Sequence, residues 1–145
     1  MNIYFACSIT GGRTDESKYM VIVDTLLKEG HTIPTAHLSQ QDVVELESVI
    51  EPEEVYLRDT SWIDTSNAII AEVSTPSHGV GYEIAYALHQ GKHVLCIYDQ
   101  DKPISKMLSG NTHPNICVKP YQNSNDMVQI IRIFLEELPQ TDIKK

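Results

Sequence analysis

The sequence has no apolar run that approaches the roughly 18 residues required for a membrane-spanning helix. Its first residue leads directly into a strand-like run, without the positively charged segment that opens a secretion signal. From these two absences we expect no membrane partner and predict a cytoplasmic protein.

Basic residues are scarce, because 11 Lys and Arg stand against 20 Asp and Glu and give a formal net charge of −9. Nucleic-acid polymers and anionic membrane surfaces are bound through clustered Lys and Arg. We therefore expect no nucleic-acid polymer as a partner. A single small phosphorylated ligand is still compatible with this charge.

Cysteines are also few, and none of the three forms a CxxC pair: Cys7, Cys96 and Cys117. An odd number without that spacing argues against both a disulfide framework and a zinc site. His89 and His93 have HxxxH spacing, but Gly91 should end the helix on which such a metal site depends. We predict neither a metal nor an organic cofactor.

What the chain does contain is an alternation of strand-like and helix-like segments. Apolar runs predict strands at residues 2–7, 31–36, 67–73, 93–98 and 116–118. Pro34 cannot donate to a strand ladder, so its run belongs at an edge or a strand end. The alternation predicts an α/β fold: a Rossmann-like single domain at residues 1–139, with an about five-stranded parallel sheet flanked by helices. Residues 140–145 form a polar C-terminal tail.

A carboxylate interrupts one of the predicted helices. Pro52 fits the first position of that helix, and Asp59 shares its apolar face with Val55 and Trp62. Burial on such a face could raise the pKa of Asp59 and make it a proton donor, although a salt-bridged structural acid is an equal alternative. The acidic stretch before it, residues 40–51, is interpreted as a loop with one helical turn and a solvated face.

The stretch that organises the rest is PSHGVGYE at residues 76–83, between the strand at 67–73 and a helix. In an open α/β sheet, ligands bind at such strand-to-helix corners. We place Glu83 in the first turn of the helix, where unpaired N–H groups and the dipole favour an ionised carboxylate. Such a carboxylate can act as a nucleophile or merely complement the dipole. The glycine-bearing loop at 8–13 should face the same crevice, an arrangement that suits a phosphate and a sugar.

Several segments, in this order and spacing, resemble the 2′-deoxynucleoside 5′-phosphate N-hydrolases of the nucleoside 2-deoxyribosyltransferase superfamily. They are NIYFACSITGGR (2–13), DTSWI (59–63), AEVSTPSHGVGYE (71–83), GK (91–92) with LC (95–96), and ISKMLSG (104–110). The resemblance implies hydrolysis of the N-glycosidic bond of 2′-deoxynucleoside 5′-monophosphates. A free base and 2-deoxyribose 5-phosphate would be released through a glutamate-linked glycosyl intermediate.

The resemblance also implies catalytic roles. Glu83 would attack the anomeric carbon, Asp59 would protonate the base or hold the protonating group, and Tyr4 would contact the sugar or the nucleophile. From the residues alone, Tyr4 could instead be an ordinary strand residue. Glu72, in the strand before the loop, is the rival acid if Asp59 does not serve.

Substrate-binding roles are implied in the same way, within a homodimer that binds a small deoxynucleotide or deoxynucleoside. The predicted binding residues are Ser8, Gly11, Arg13, Ser77, Gly79, Ser105 from the neighbouring subunit, and His37, which would contact the base. Thr10 stands where these hydrolases carry an arginine, and losing a guanidinium weakens the case for a phosphate. The substrate is then a free deoxynucleoside, or a nucleotide held by Arg13 and backbone.

Two other functions remain open from the sequence. A nucleoside 2-deoxyribosyltransferase would pass the same intermediate to a second base instead of water. A non-catalytic nucleotide-binding module would bind the ligand and leave it intact.

Overall fold

Four short apolar runs form one sheet in the computed structural model, which describes residues 1–10, 12 and 14–139. The strands are β1 (Ile3–Ala6), β2 (Ala68–Glu72), β3 (His93–Asp99) and β4 (Ile116–Tyr121). They lie in the order β1-β2-β3-β4, and each neighbouring pair is parallel. Every residue of β1 and β2 is buried, which is why these strands have nearly continuous apolar sequences.

The helices are α1 (Glu16–Lys28), α2 (Val43–Ser48), α3 (Pro52–Thr65), α4 (His78–His89), α5 (Lys106–Ser109) and α6 (Ser124–Glu137). A 3₁₀ helix covers Ala36–Ser39. Pro52 occupies the first turn of α3 as predicted, because its missing N–H has no partner to lose there. Gly30 follows α1 with φ of 84°, a left-handed conformation that favours glycine. None of the helices within the described residues is both long and apolar enough to cross a membrane.

The predicted strand at residues 31–36 is wrong, and the sheet has four strands instead of five. Only one parallel bridge, between Asn2 and Thr32, joins this segment to the edge of β1. Pro34 has no N–H for a ladder, and the 3₁₀ helix begins soon afterwards. The bridge still places the segment on one side of β1 while β2 lies on the other. Such a reversal creates a crevice at the carboxyl end of the sheet, where α/β proteins bind ligands.

The sheet separates two apolar cores because successive strand residues point to opposite faces. Phe5 and Ile70 pack with residues of α1 and α6, among them Ile22 and Ile131. On the other face, residues of α3 and α4 cover a second core that includes Tyr4, Ile63, Ile69, Ile84 and Val94. Full burial of each large aliphatic side chain stabilises the fold by about 1.5–3 kcal/mol. Tyr4 thus lies on the α3/α4 face of the sheet, at the floor of the crevice.

Three further features concern the cysteines, possible groups of metal ligands and the C-terminal tail. All three cysteines are free, two of them buried and Cys117 partly buried. Among the residues that the structure describes, no three His, Cys, Asp or Glu side chains are grouped to hold a metal ion. The predicted tail at 140–145 lies outside the described residues.

Candidate active site

A tyrosine and a glutamate far apart in sequence meet on the α3/α4 face of the sheet. Tyr4 is fully buried, and its Oη donates a hydrogen bond of 2.8 Å to Oε1 of Glu83 on α4. Burial and the nearby carboxylates, first Glu83 and then Asp59, raise the pKa of Tyr4 far above its ordinary value. Tyr4 therefore remains a hydrogen-bond donor and orients one oxygen of Glu83.

The position of Glu83 in its helix differs from the prediction. The Ser77 side chain accepts a hydrogen bond from the Val80 N–H at 3.3 Å and caps α4, so the helix begins at His78. Gly79 therefore lies inside the helix, and Glu83 lies beyond the first turn, which contains no acidic residue. The helix dipole acts mainly within the first turn, so it does not account for the ionisation of Glu83.

Burial dominates the electrostatics of Glu83 instead. It raises the pKa of this carboxyl to about 7, with a further upward contribution from the charge of Asp59. The hydrogen bond from Tyr4 and the charge of Arg58 act in the opposite direction. Glu83 consequently titrates near neutral pH, where it can exchange between a proton-bearing and a nucleophilic form.

Asp59 lies on α3 beside a chain of alternating charges. Its Oδ1 accepts a hydrogen bond of 2.8 Å from Nε of Arg58, whose Nη2 donates to Oε2 of Glu47 at 3.0 Å. The guanidinium of Arg58 also lies 4.8 Å from the centroid of the Trp62 ring. Burial raises the pKa of Asp59, although Arg58 opposes the shift. Asp59 therefore holds a proton more readily than an exposed aspartate.

Glu47 and Arg58 were not identified from the sequence. The acids of residues 40–51 were predicted to be solvated, which is wrong for Glu47, because its side chain is only 11% exposed. The signal that could have found it is the spacing of Val43, Glu47 and Ile50 at i, i+4 and i+7, which places Glu47 on the inward face.

His37 lies on the 3₁₀ helix and donates from Nε2 to Oε1 of Glu47 at 2.7 Å. The hydrogen bonds from Arg58 and His37 outweigh the effect of partial burial and hold the pKa of Glu47 below its ordinary value. Glu47 is therefore ionised at neutral pH.

A cavity of ≈ 380 Å³ opens above these groups. Its polar lining comprises Thr10, Glu47, Asp59, Ser77 and Glu83, together with the backbone of Gly79. Its apolar walls are formed mainly by Ile9, Leu38, Ile50, Pro52 and Val55. A planar ring can pack its apolar faces against such walls while its polar edges reach the carboxylates.

The predicted binding residues fall into three groups. Ser77 and Gly79 line the cavity with Glu83, whereas the described lining includes Glu47 but not its partner His37. Ser8 is fully buried after β1, and Ser105 caps α5 in a separate groove. Two further predictions, Gly11 and Arg13, lie outside the described residues.

Glu72 does not join this site. It follows Ala68 and Ile70 on the α1/α6 face of the sheet, and it is fully buried. Its Oε1 accepts hydrogen bonds from the hydroxyls of Ser74 and Tyr121. This position makes it a buried structural acid and not the alternative to Asp59.

A second polar cluster, centred on Asp15, links several loops on the α1/α6 face of the sheet. Asp15 accepts hydrogen bonds from Thr75 Oγ1 at 2.8 Å, from Lys18 Nζ at 3.1 Å and from Lys102 Nζ at 3.2 Å. Lys18 also donates to Asp99 at 2.8 Å. The cluster joins the start of α1 to the loops that follow β2 and β3, and so fixes the edge of the crevice.

Comparisons with known proteins agree with this architecture. The chain is 38% identical over 119 residues to a protein of Methanococcoides burtonii whose provisional name is 2′-deoxynucleoside 5′-phosphate N-hydrolase 1, covering 82% of this chain and 98% of that protein. It is 41% identical over 115 residues to the 5-hydroxymethyl-dUMP N-hydrolase of Esox lucius, covering 76% and 79% respectively.

A solved structure has the same fold. The CMP N-glycosidase of Clostridium botulinum superposes with a TM-score of 0.71 at 15% identity, over 92% of this chain and 99% of the other. The family model for nucleoside 2-deoxyribosyltransferase matches residues 3–128. The chain belongs to the nucleoside 2-deoxyribosyltransferase family.

Proposed function

We propose that this protein hydrolyses the N-glycosidic bond of 2′-deoxynucleoside 5′-monophosphates and releases a free base and 2-deoxyribose 5-phosphate. The observation that carries the proposal is the buried Tyr4–Glu83 hydrogen bond at the floor of a cavity that also contains Asp59. The names of the relatives as N-hydrolases support the same reaction class.

In the first step, the free oxygen of Glu83 attacks the anomeric carbon and forms a glycosyl ester. The C–N bond breaks and its electron pair leaves with the base. In this reactive form the two carboxyls share one proton, which lies on Asp59 while Glu83 is ionised, and Asp59 donates that proton to the base. A 2-deoxy sugar lacks the electron-withdrawing 2′ hydroxyl, so positive charge develops readily on its ring and a carboxylate beneath it stabilises that charge. The Tyr4 hydroxyl holds the other oxygen of Glu83.

In the second step, water attacks the anomeric carbon while the Asp59 carboxylate accepts its proton. The ester bond breaks, and its electron pair returns to Glu83 as carboxylate. The sugar leaves with a new hydroxyl, and both carboxyl groups regain their starting protonation.

We place the 5′-phosphate at the start of α4, because Ser77 and the backbone of Gly79 line the cavity there. We assign Gly11 and Arg13, which follow β1 in the sequence, to the same phosphate. Ser8 is fully buried and is not among the described lining residues of the cavity, so its predicted role in this site is at most indirect. With Thr10 in place of an arginine, Arg13 carries the selectivity for a phosphate. We expect the monophosphate to be preferred over the free nucleoside by about tenfold or more, and Arg13→Ala to remove that preference.

We further propose that a second copy of the chain completes the site. An apolar groove of ≈ 840 Å³ runs beside α4 and α5, and Ser77 lines both this groove and the smaller cavity. Met107 is 82% exposed at its edge. A partner that covers the groove would bring its own Ser105 next to the phosphate position.

Light scattering tests whether the protein is a dimer. In that dimer, Ser105→Ala should reduce the preference for the monophosphate over the free nucleoside. Ser109→Ala, an exposed change on the same short helix, is the matched control and should leave that preference unchanged. A monomer, or equal effects of the two changes, would refute the partner contribution.

Incubation with a deoxynucleoside monophosphate and a different free base tests the reaction. Hydrolysis gives stoichiometric free base and 2-deoxyribose 5-phosphate, measured by chromatography. Exchange of the bases without net loss of nucleotide would instead identify a transferase. Tight binding of an intact ligand would identify a non-catalytic module.

A further inference from the structure

We propose that Glu47 selects the nucleobase, favouring bases that carry an exocyclic amine over otherwise matched bases with a carbonyl. The inference rests on the proposed function of the cavity, and it identifies the group that recognises the base. Glu47 is the charged residue of the described cavity lining that has no part in the bond-breaking steps.

The location of Glu47 within the cavity supports this role. Asp59 and Glu83 are assigned to the glycosidic bond and Ser77 to the phosphate, which leaves Glu47 for the part of the ligand beyond that bond. Apolar walls that include Ile50 suit the two faces of a planar ring. The edge of that ring remote from the sugar then meets Glu47.

The side chain of Glu47 is held in place by two neighbours. Oε1 accepts from His37 at 2.7 Å and Oε2 accepts from Arg58 at 3.0 Å. A carboxylate oxygen can accept more than one hydrogen bond, so each oxygen keeps capacity for a ligand. With both neighbours fixed, the carboxylate presents an acceptor in a defined position at little further entropic cost.

The chemistry of an ionised carboxylate gives the direction of the selectivity. It accepts hydrogen bonds and donates none, so the amines at C4 of cytosine and C6 of adenine are favourable partners. The carbonyl groups at the same positions of uracil and hypoxanthine direct lone pairs at the negative charge. The ring N–H beside each carbonyl is a donor, but it is displaced from the exocyclic position that we assign to Glu47. Rejection therefore arises from repulsion as well as from a lost hydrogen bond.

The first test needs only the wild-type protein and two matched substrate pairs, dCMP with dUMP and dAMP with dIMP. In each pair that is turned over, we expect kcat/KM for the amine substrate to be higher by about tenfold or more. Equal or reversed values in either pair would overturn the role of Glu47. Turnover of no member of either pair would also overturn the role of Glu47, and the proposed function itself would be refuted only if dGMP and dTMP were left intact as well.

The second test replaces the carboxylate with its isosteric amide. Glu47→Gln supplies a donor as well as an acceptor, so the ratio within each pair should fall to about one. Glu45→Gln on the same helix is exposed and should leave the ratio unchanged. If Glu47 only supported Arg58, Glu47→Gln would slow both substrates equally and keep the ratio, which would refute the inference.

Discussion

Two polar clusters lie at the carboxyl edge of the same sheet, one on each face, and they balance charge differently. On the α3/α4 face, Glu83 and Asp59 line a cavity, and burial raises the pKa of both carboxyls. On the α1/α6 face, burial alone would raise the pKa of Asp15, but hydrogen bonds from Thr75 and two lysines lower it. The carboxyls of the first cluster can therefore gain and lose protons more readily near neutral pH, whereas Asp15 in the second cluster stays ionised.

Glu72 shows that a raised pKa alone does not identify a catalytic acid. Burial raises the pKa of Glu72 as well, and hydrogen bonds from Ser74 and Tyr121 only partly oppose the shift. Glu72 is nevertheless fully buried, while Glu83 faces a cavity large enough for part of a ligand. Perturbed ionisation indicates chemistry when it coincides with access.

The largest effect is expected from Glu83→Gln. The amide cannot form the glycosyl ester efficiently, so the rate of base release should fall by roughly a thousandfold or more while the fold is kept. Initial rates and a thermal melt measure the two quantities. Glu72→Gln is the matched control on the other face, and an equal loss of rate there would break the distinction between the clusters.

The next effect concerns stability. Asp15→Asn should lower the free energy of unfolding by about 1–3 kcal/mol, because two lysines lose a buried anionic partner. The lower part of this range is expected, since the lysine side chains are 26% and 36% exposed. Urea denaturation measures the change, and Asp24→Asn, an exposed substitution on α1, is the control.

The pH dependence of that difference follows from the depressed pKa of Asp15. Its contribution to stability is present above the unfolded value of 3.8 and is lost as pH falls through the lower folded value. The difference in free energy of unfolding between wild type and Asp15→Asn should therefore become smaller in acid. A gap that is constant with pH would show that the Asp15 charge does not stabilise the fold.

The local sequence predicted much of the sheet and the corner of the site. PSHGVGYE joins β2 to α4 because an apolar run, a capping serine and a helical pattern follow one another directly. The start of α4 was misplaced because the glycines suggested a loop, while the Ser77 cap extends the helix across them. The segment at 31–36 contains Pro34, whose missing N–H prevents the ladder that its apolar pattern suggests.

The charged contacts around the cavity could not be predicted in the same way. The Arg58–Glu47 hydrogen bond joins α3 to α2, and its formation depends on how the two helices pack. The Tyr4–Glu83 contact spans 79 positions and was expected only as one of two partners for Tyr4. Periodicity identifies the face on which a side chain lies, whereas its partner depends on the tertiary arrangement.

The smallest predicted effect tests whether the two cavity carboxyls share their charge. The negative charge of Asp59 contributes to the raised pKa of Glu83, after the larger effect of burial. Asp59→Asn should therefore lower the pKa of Glu83 by about half a unit to one unit. Carbon-13 NMR titration of the Glu83 carboxyl measures the shift without requiring turnover, and Asp64→Asn, exposed on the same helix, should produce none.

The same variant separates charge from proton donation. Glu83 would be more fully ionised at neutral pH in Asp59→Asn, so a protein that needed only a stronger nucleophile would become faster. If Asp59 protonates the departing base, the rate must fall despite the better-ionised nucleophile. A lower pKa together with a lower rate therefore identifies Asp59 as the acid, and a lower pKa with an unchanged rate would assign the proton to another group.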